Sequence, residues 1–219
     1  MFTKLPKWVE YGAFTLALIA GIVNAIGLLG FEHQAISHLS GSITLIGVSV
    51  VQEPKHALFL VGLVFSFVIG SALSGILISG ESLKLGRHYD SVLFIEAFLL
   101  TLSAILLDLH ISLGLCLASM ACGLQNALVT TYSGAVIRTT HLTGIFTDLG
   151  LMIGGRLKGQ PVNHRKCVMF VVIISGFVCG GIIGAMSFSH FNVISMSLPA
   201  SMCFLLGLGY RIYRQTHKN

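Results

Sequence analysis

Apolar segments long enough to cross a bilayer follow one another along nearly the whole sequence. They are separated by charged or turn-forming clusters and fall at roughly 10–30, 36–52, 57–79, 92–108, 111–131, 134–154, 167–189 and 193–212. Each holds about 17–23 residues, the length of helix that crosses ~30 Å of hydrocarbon. Helices are the expected form, because the alternation typical of membrane barrel strands is absent from the sequence. The sequence predicts an all-α polytopic bundle of about eight spans, with seven as the alternative since only Asp108, Leu109 and His110 separate segments four and five.

The composition fits a chain whose surface faces lipid. Only 10% of the 219 residues are charged and 54% are hydrophobic. In a typical soluble domain about a quarter of all residues are charged. The lipid bilayer is therefore the first expected partner. The net charge of +5 does not point to nucleic acid, because no nucleic-acid-binding motif accompanies it. The five cysteines lie in or beside apolar segments without metal-site spacing, and no cofactor is predicted.

The distribution of Lys and Arg predicts the orientation of the chain. With eight spans, Lys84, Arg87 and Arg138 fall on one side of the membrane and the ten other basic residues on the opposite side. Those ten are Lys4, Lys7, Lys55, Arg156, Lys158, Arg165, Lys166, Arg211, Arg214 and Lys218. Basic loops remain in the cytoplasm, so both termini are predicted to be cytoplasmic.

A polar motif occurs once in each half of the sequence. The first copy reads GIVNA at 21–25 and SHLSGSITLIG at 37–47; the second reads GLQNA at 123–127 and THLTGIFTDLG at 140–150. Apolar segments resemble each other by chance, but matched Asn and His residues in the same order do not. The motif predicts two repeated halves, 1–108 and 109–219, within one membrane domain. Four spans per half would orient both halves in the same direction, whereas seven spans would invert one of them.

The motif also resembles that of a known family. Its pattern, G-x-x-N-A followed by [ST]-H-[LM]-[ST]-G-x-x-T-x-x-G, is similar to that of the YoaK-like family of bacterial membrane proteins, and the resemblance covers nearly the whole chain. The family segment reads similarly to SHMTGN, and this chain departs from it with Ser42 and Ile145 at the Asn position. The resemblance implies a multi-pass protein of the bacterial inner membrane and brings no established activity with it.

The repeated polar residues are predicted to bind a solute. Polar groups are costly in lipid and normally face protein or a water-filled cavity. If the two H-L-[ST]-G turns face each other, they offer imidazoles, hydroxyls and helix-start amides to a small polar or anionic solute. The predicted substrate-binding residues are Asn24, Ser37, His38, Ser40, Gly41, Thr44, Asn126, Thr140, His141, Thr143, Gly144 and Thr147. The alternative is a structural role, in which Asn and His hold the turns in register through hydrogen bonds.

One carboxylate is predicted to lie in the middle of a span. Asp148 occupies segment six where the first copy has Leu45. Such a carboxylate must be protonated, paired or hydrated. Because His141 lies two turns away on the same face, Asp148 and His141 are predicted to couple solute movement to protons. Glu96, in segment four, is a weaker candidate.

These features favour a secondary transporter or permease for a small polar or anionic metabolite, and not an enzyme. An intramembrane metal-dependent enzyme is one alternative, with zinc on His33, His38, His141 and Asp148, although no H-E-x-x-H motif supports it. A scaffold or assembly factor without transport activity is the other. The sequence does not determine the oligomeric state, and a homo-oligomer is among the states that it allows.

Overall fold

The computed structural model describes residues 8–30, 33–78, 88–132 and 139–216, and this part of the chain is all-helical. Its helices are α1 (Trp8–Leu29), α2 (Leu39–Gln52), α3 (Pro54–Leu77), α4 (Tyr89–Asp108), α5 (Leu113–Tyr132), α6 (Leu142–Leu157), α7 (His164–Phe191) and α8 (Ser197–Thr216). A short 3-10 helix, Asn192–Met196, joins α7 to α8. The predicted all-α membrane fold is confirmed.

The outward surface of the helices is apolar. Large hydrophobic side chains on several helices are exposed, among them Val51, Phe65, Phe98, Leu151 and Val171. A monomeric soluble protein rarely exposes apolar surface on this scale, whereas a membrane protein presents it to lipid. Residues that face inward form one core that includes Ile19, Leu63, Leu100, Leu124 and Ile173.

The helices differ in whether they can cross a bilayer. Five helical stretches are long and apolar enough: Val9–Leu29, Pro54–Leu77, Tyr89–Asp108, Leu113–Thr131 and His164–Thr216, the last of which contains both α7 and α8. By contrast, α2 has 14 residues and α6 has 16. At 1.5 Å per residue they are about 21 and 24 Å long, which is shorter than the ~30 Å hydrocarbon layer.

The starts of the second and sixth segments require a correction. They were expected near residues 36 and 134, but α2 begins at Leu39 and α6 at Leu142. Residues 133–138 lie outside the described part of the chain. Hydropathy counts the turns before these helices as part of each segment. By contrast, α4 and α5 are separate helices, joined by residues 109–112.

Helices α1 and α7 pack closely along parallel directions. Glycines on α7 permit the approach, since a Cβ atom on Gly180 or Gly184 would meet the backbone of Leu18 or Ile22. Residue numbers rise along both helices from contact to contact, so the two helices are parallel. Small residues allow this kind of packing between membrane helices.

Helices α3 and α5 form a second parallel pair. A Cβ atom on Gly123 would meet the backbone of Phe67. The Ser119 hydroxyl donates a hydrogen bond to the Leu63 carbonyl at 2.8 Å, and the Ser71 hydroxyl donates to the Gly123 carbonyl at 3.0 Å. Both close pairs therefore join a helix of the first predicted half to a helix of the second.

Helices α4 and α8 are antiparallel. The rings of Tyr89 and Tyr210 lie 5.5 Å apart, as do those of Phe94 and Phe204. At the start of α4, Asp90 forms a 3.2 Å ion pair with Arg214 at the end of α8. Two halves that run in the same direction would require α4 and α8 to be parallel, so that expectation is wrong. That expectation depended on a hydropathy count in which the short α2 and α6 were complete spans.

Candidate functional site

Two equivalent turns precede the short helices. His38 is the residue before α2 and His141 the residue before α6. Each imidazole packs against the first helical turn, because a Cβ atom on Gly41 would lie 3.2 Å from the His38 ring and one on Gly144 would lie 2.6 Å from the His141 ring. Glycine at these two positions therefore makes room for the histidine ring.

Asparagines connect these turns to the preceding long helices. The buried Asn24 side chain donates to the Ser37 hydroxyl at 2.7 Å and to the Ala20 carbonyl at 2.8 Å, and its Oδ1 accepts from the Ser37 amide at 2.9 Å. In the second half, the Thr140 hydroxyl donates to Asn126 Oδ1 at 3.2 Å. These bonds are the structural role that the sequence left open for both asparagines, and they hold each turn against its helix.

Both turns line a single cavity with a volume of about 850 Å³. Eight of the predicted site residues contribute to it: Asn24, Ser37, His38, Ser40, Asn126, Thr140, His141 and Thr143. The cavity also has apolar walls from the long helices, with Phe67 from α3 and Phe177 from α7 among them. Sequence reasoning did not assign these two phenylalanines to the site. The signal was available, since FVIG at 67–70 and FVCG at 177–180 correspond in the two halves.

The remaining predicted site residues are not among those that line the cavity. Gly41 and Gly144 lie beneath the histidine rings. The Thr44 hydroxyl donates to the Ser40 carbonyl at 3.0 Å, and the Thr147 hydroxyl donates to the Thr143 carbonyl at 2.9 Å. Both threonine hydroxyls thus bond within their own helices.

The starts of α2 and α6 give the cavity its electrostatic character. The first amides of a helix lack partners within the helix and carry the positive end of its dipole. Neither helix has an acidic residue in its first turn, and no capping bond from the His38 or His141 side chain occupies these amides. Among the described residues that line the cavity there is no Asp, Glu, Lys or Arg. Within this described lining, the two positive helix ends and the two histidines are the groups that can attract a negative charge.

Asp148 lies away from the cavity lining. Its Oδ2 forms an ion pair with Lys166 Nζ at 2.8 Å, and its side chain is 41% exposed. The sequence required this carboxylate to be protonated, paired or hydrated, and in the structure it is paired. The ion pair joins α6 to α7, two helices that otherwise have few contacts.

The four residues of the zinc alternative are not brought together. Within the described ranges, no group of three or more His, Cys, Asp and Glu side chains is arranged to hold a metal ion. His33 instead places its Nδ1 3.1 Å from the Leu28 carbonyl.

A buried polar cluster lies apart from the cavity lining, between α4, α5 and α8. Its members are Glu96, Cys122, Gln125 and Cys203, and all four are buried. Sequence reasoning ranked Glu96 below Asp148 because it placed Asp148 in the middle of segment six and Glu96 only one turn from the outer end of segment four. Burial reverses that order, since Glu96 is only 2% exposed.

Long apolar helices around a polar cavity define this chain as a polytopic integral membrane protein. It belongs to the DUF1275 family, described as proteins of unknown function, whose family model matches residues 12–209. It is 28% identical over 203 residues to the UPF0700 transmembrane protein YoaK of Bacillus subtilis (strain 168), a match that covers 86% of this chain and 88% of that protein. No solved structure matches. The family resemblance inferred from the motif is confirmed, and these names bring no activity with them.

Proposed function

We propose that this protein is a secondary transporter or permease for a small polar or anionic solute, which binds in the cavity between the starts of α2 and α6. The observation that carries the proposal is the convergence of both turns, one from each half of the sequence, on one cavity. Helix starts that point at a solute site within the membrane are typical of secondary transporters. The hydroxyl and amide groups of the lining supply further hydrogen bonds.

The positive helix ends favour an anion. Each offers unpaired amides in a region of low dielectric constant, where a negative group is stabilised more strongly than in water. His38 and His141 add to this attraction when they are protonated. A cation would meet no carboxylate among the lining residues that the structure describes.

We further infer that six helices cross the membrane and that α2 and α6 enter it without crossing. Helices α7 and α8 are joined by the five-residue Asn192–Met196, so two crossing helices must run in opposite directions. Because α8 is antiparallel to α4, both α7 and its parallel partner α1 have the direction of α4. Helix α5 forms a hairpin with α4, so α5 and its parallel partner α3 have the opposite direction.

The directions of the long helices determine the path of the short ones. Helix α1 ends on the side where the oppositely directed α3 begins, so α2 returns the chain to that same side. By the same reasoning, α6 returns the chain to the other side between α5 and α7. Each short helix then begins inside the membrane at the cavity and ends at a surface, as in transporters built from inverted repeats with broken helices.

The basic residues support six crossings. Of the thirteen Lys and Arg residues in the sequence, only Lys55 then falls on the side opposite both termini. This is a stronger bias than eight spans give, and it again places both termini in the cytoplasm. The ion pair between Asp90 and Arg214 also supports six crossings, because it joins the start of α4 to the end of α8, whereas eight spans would put these two ends on opposite sides.

Contacts between corresponding residues support an inverted repeat. Gly21 packs on the backbone of Phe177, and its counterpart Gly123 packs on the backbone of Phe67. In each contact the glycine belongs to one half of the sequence and the phenylalanine to the other, so the two contacts are symmetric. We therefore propose that the halves are related by a pseudo-two-fold axis in the membrane plane that passes close to the cavity.

Ligand binding tests the proposed function. The purified protein in detergent is screened by thermal shift against inorganic anions, small carboxylates, neutral polyols, divalent metals and a chelator. A bound solute at about 100 times its Kd stabilises the folded state by ~2.7 kcal/mol. We expect at least one anion or small polar solute to raise the melting temperature, and His38→Ala and His141→Ala to reduce that shift. Thr44→Val is the matched control, because the Thr44 hydroxyl bonds within its helix.

Uptake completes the test. Proteoliposomes should accumulate or exchange the stabilising solute, and the two histidine variants should do so more slowly than Thr44→Val. Failure of every solute to bind and to be taken up would contradict the proposal. Destabilisation by the chelator alone would instead favour the metal-dependent enzyme.

A further inference from the structure

Glu96 is a carboxyl group enclosed by protein in the middle of the bundle. It is the eighth of the 20 residues of α4, and it is 2% exposed. Gln125 and Cys122 of α5 and Cys203 of α8 surround it, each from the central part of its helix. Glu96 therefore lies near the centre of the membrane and away from lipid.

No cation pairs with Glu96 in the described part of the chain. The ion pairs found there involve three other acids: Glu10 with Arg165, Asp90 with Arg214 and Asp148 with Lys166. An ionised carboxylate without a partner is expensive to bury at this depth. A carboxyl group in this position can carry a proton, which removes its charge.

Two polar atoms of the cluster are left without hydrogen bonds. Glu96 Oε2 and Gln125 Nε2 are both buried, and neither makes a hydrogen bond of normal geometry, although the two side chains lie close enough to interact. An ionised Oε2 accepts hydrogen bonds, and an amide nitrogen donates them. An ionised Oε2 can therefore accept a hydrogen bond from Gln125 Nε2, whereas a protonated Oε2 turns its own O–H toward that nitrogen. A hydrogen bond between these two atoms thus depends on whether Glu96 carries a proton.

Helix α5 connects this cluster to the cavity. Gln125 faces Glu96, and the next residue, Asn126, lines the cavity and holds the Thr140 turn. A change in the Gln125 contact therefore acts on the helix that positions one of the two cavity turns. The titratable groups that face Glu96 from α5 and α8 are the thiols of Cys122 and Cys203. The basic Arg214 of α8 is bound to Asp90 at the start of α4.

We propose that Glu96 is an intramembrane proton-binding site, and that its protonation couples proton movement to the solute cavity through Gln125 and α5. This inference rests on the proposed transport function. A proton from water on one side adds to the carboxylate and forms the neutral acid; its release to the other side restores the carboxylate. Asp148, held by Lys166 and half-exposed, is not required for this cycle.

Infrared spectroscopy tests the site without a solute. A protonated carboxyl group gives a C=O stretching band that shifts in D₂O. We expect Glu96→Gln to remove one such band and Asp148→Asn, the matched control for a paired acid, to retain it. The wild-type band should decrease reversibly as the pH rises. Isotope labelling of glutamate carboxyl groups should shift the wild-type band, which tests the assignment even if the Glu96→Gln variant does not fold.

The outcomes separate this site from the transport function. A spectrum unchanged by Glu96→Gln and by glutamate labelling overturns the site, as does a band that stays constant at every pH at which the protein is folded. In proteoliposomes, Glu96→Gln is expected to exchange solute but to lose accumulation driven by a proton gradient. Full proton-driven accumulation by this variant overturns the coupling. If the wild type neither binds nor transports any solute, the transport function fails, while the spectra still decide whether Glu96 exchanges a proton.

Discussion

The turns that precede α2 and α6 have equivalent residues, with serines in the first where the second has threonines, but their described hydrogen bonds differ. The first is fixed by two hydrogen bonds between Asn24 and Ser37, at 2.7 and 2.9 Å. In the second, the described residues make a single bond to Asn126, from Thr140 at 3.2 Å. In addition, α2 packs along α3, whereas α6 has few contacts with α7 beyond the ion pair of Asp148 with Lys166.

This difference suggests a division of roles between the two halves. Elements that move in a transport cycle are drawn from the less stable parts of a structure. We therefore expect the turn before α2 to be the fixed wall of the cavity and the turn before α6 to be the wall that moves. Asn126 belongs to the same helix as Gln125, so the looser turn is also the one that the proton on Glu96 would affect.

The largest expected effect concerns the sides from which α2 and α6 enter the membrane. Single cysteines at the exposed positions Lys55 and Lys158 are introduced into a chain without its five native cysteines. Six crossings place these positions on opposite sides, whereas eight place both in the cytoplasm. We expect an impermeant maleimide to label Lys55→Cys in intact cells and Lys158→Cys only after the membrane is opened.

Protection of both positions in intact cells would contradict six crossings and restore the eight-span count. Cysteines at exposed Phe65, in the middle of α3, and Val51, at the end of α2, provide the matched controls. The first faces lipid and should react poorly on either side, and the second should behave like Lys55→Cys.

The next effect concerns the glycines beneath the histidine rings. A Cβ atom on Gly144 would lie 2.6 Å from the His141 ring, and one on Gly41 would lie 3.2 Å from the His38 ring. Overpacking typically costs about 1–3 kcal/mol. We expect Gly144→Ala to lower the melting temperature more than Gly41→Ala. The variant should also weaken solute binding, because the His141 ring must move to make room for the added methyl group. Gly47→Ala, with open space around the position, is the control. Equal effects at all three positions would mean that the rings do not rest on these glycines.

The sequence was sufficient to predict the helical membrane fold and the polar side chains of the described cavity lining. Both depend on local signals: apolar length for the helices, and a repeated Asn and His for the turns. Asn24, His38, Asn126 and His141 all line the cavity, as their matched spacing indicated. A polar residue repeated in two apolar halves is informative because lipid penalises it in each copy.

Chain direction and the importance of Glu96 could not be read in the same way. Hydropathy cannot distinguish a complete span from a turn followed by a short helix, so it counts α2 and α6 as crossings, whereas the six-crossing proposal does not. Direction depends on contacts between distant residues, such as Tyr89 with Tyr210. The burial of Glu96 likewise depends on α5 and α8, and its neighbours in the sequence do not reveal it.

A smaller effect is expected when the two asparagines are exchanged for alanine. Hydrogen bonds between membrane helices are worth about 0.6–2 kcal/mol each. Asn24→Ala removes both bonds to Ser37 and should be the more destabilising variant in thermal unfolding. Asn126→Ala removes one longer bond and should be milder, but it should speed amide hydrogen exchange at the start of α6. Thr130→Val, on the same helix as Asn126, is the control for loss of a polar group. A greater loss of stability from Asn126→Ala would reverse the comparison between the turns.

The smallest expected effect concerns the ion pair that joins α6 to α7. Asp148 and Lys166 are partly exposed, so their pairing contributes about 0.2–1 kcal/mol where water reaches it. Asp148→Asn should therefore change the melting temperature little. Because the pair is one of the few contacts of α6, the variant should still increase hydrogen exchange in α6 relative to α2. If α6 is unchanged, its stability comes from elsewhere. If α2 responds equally, the two short helices move as one unit, and the distinction between a fixed and a mobile wall is wrong.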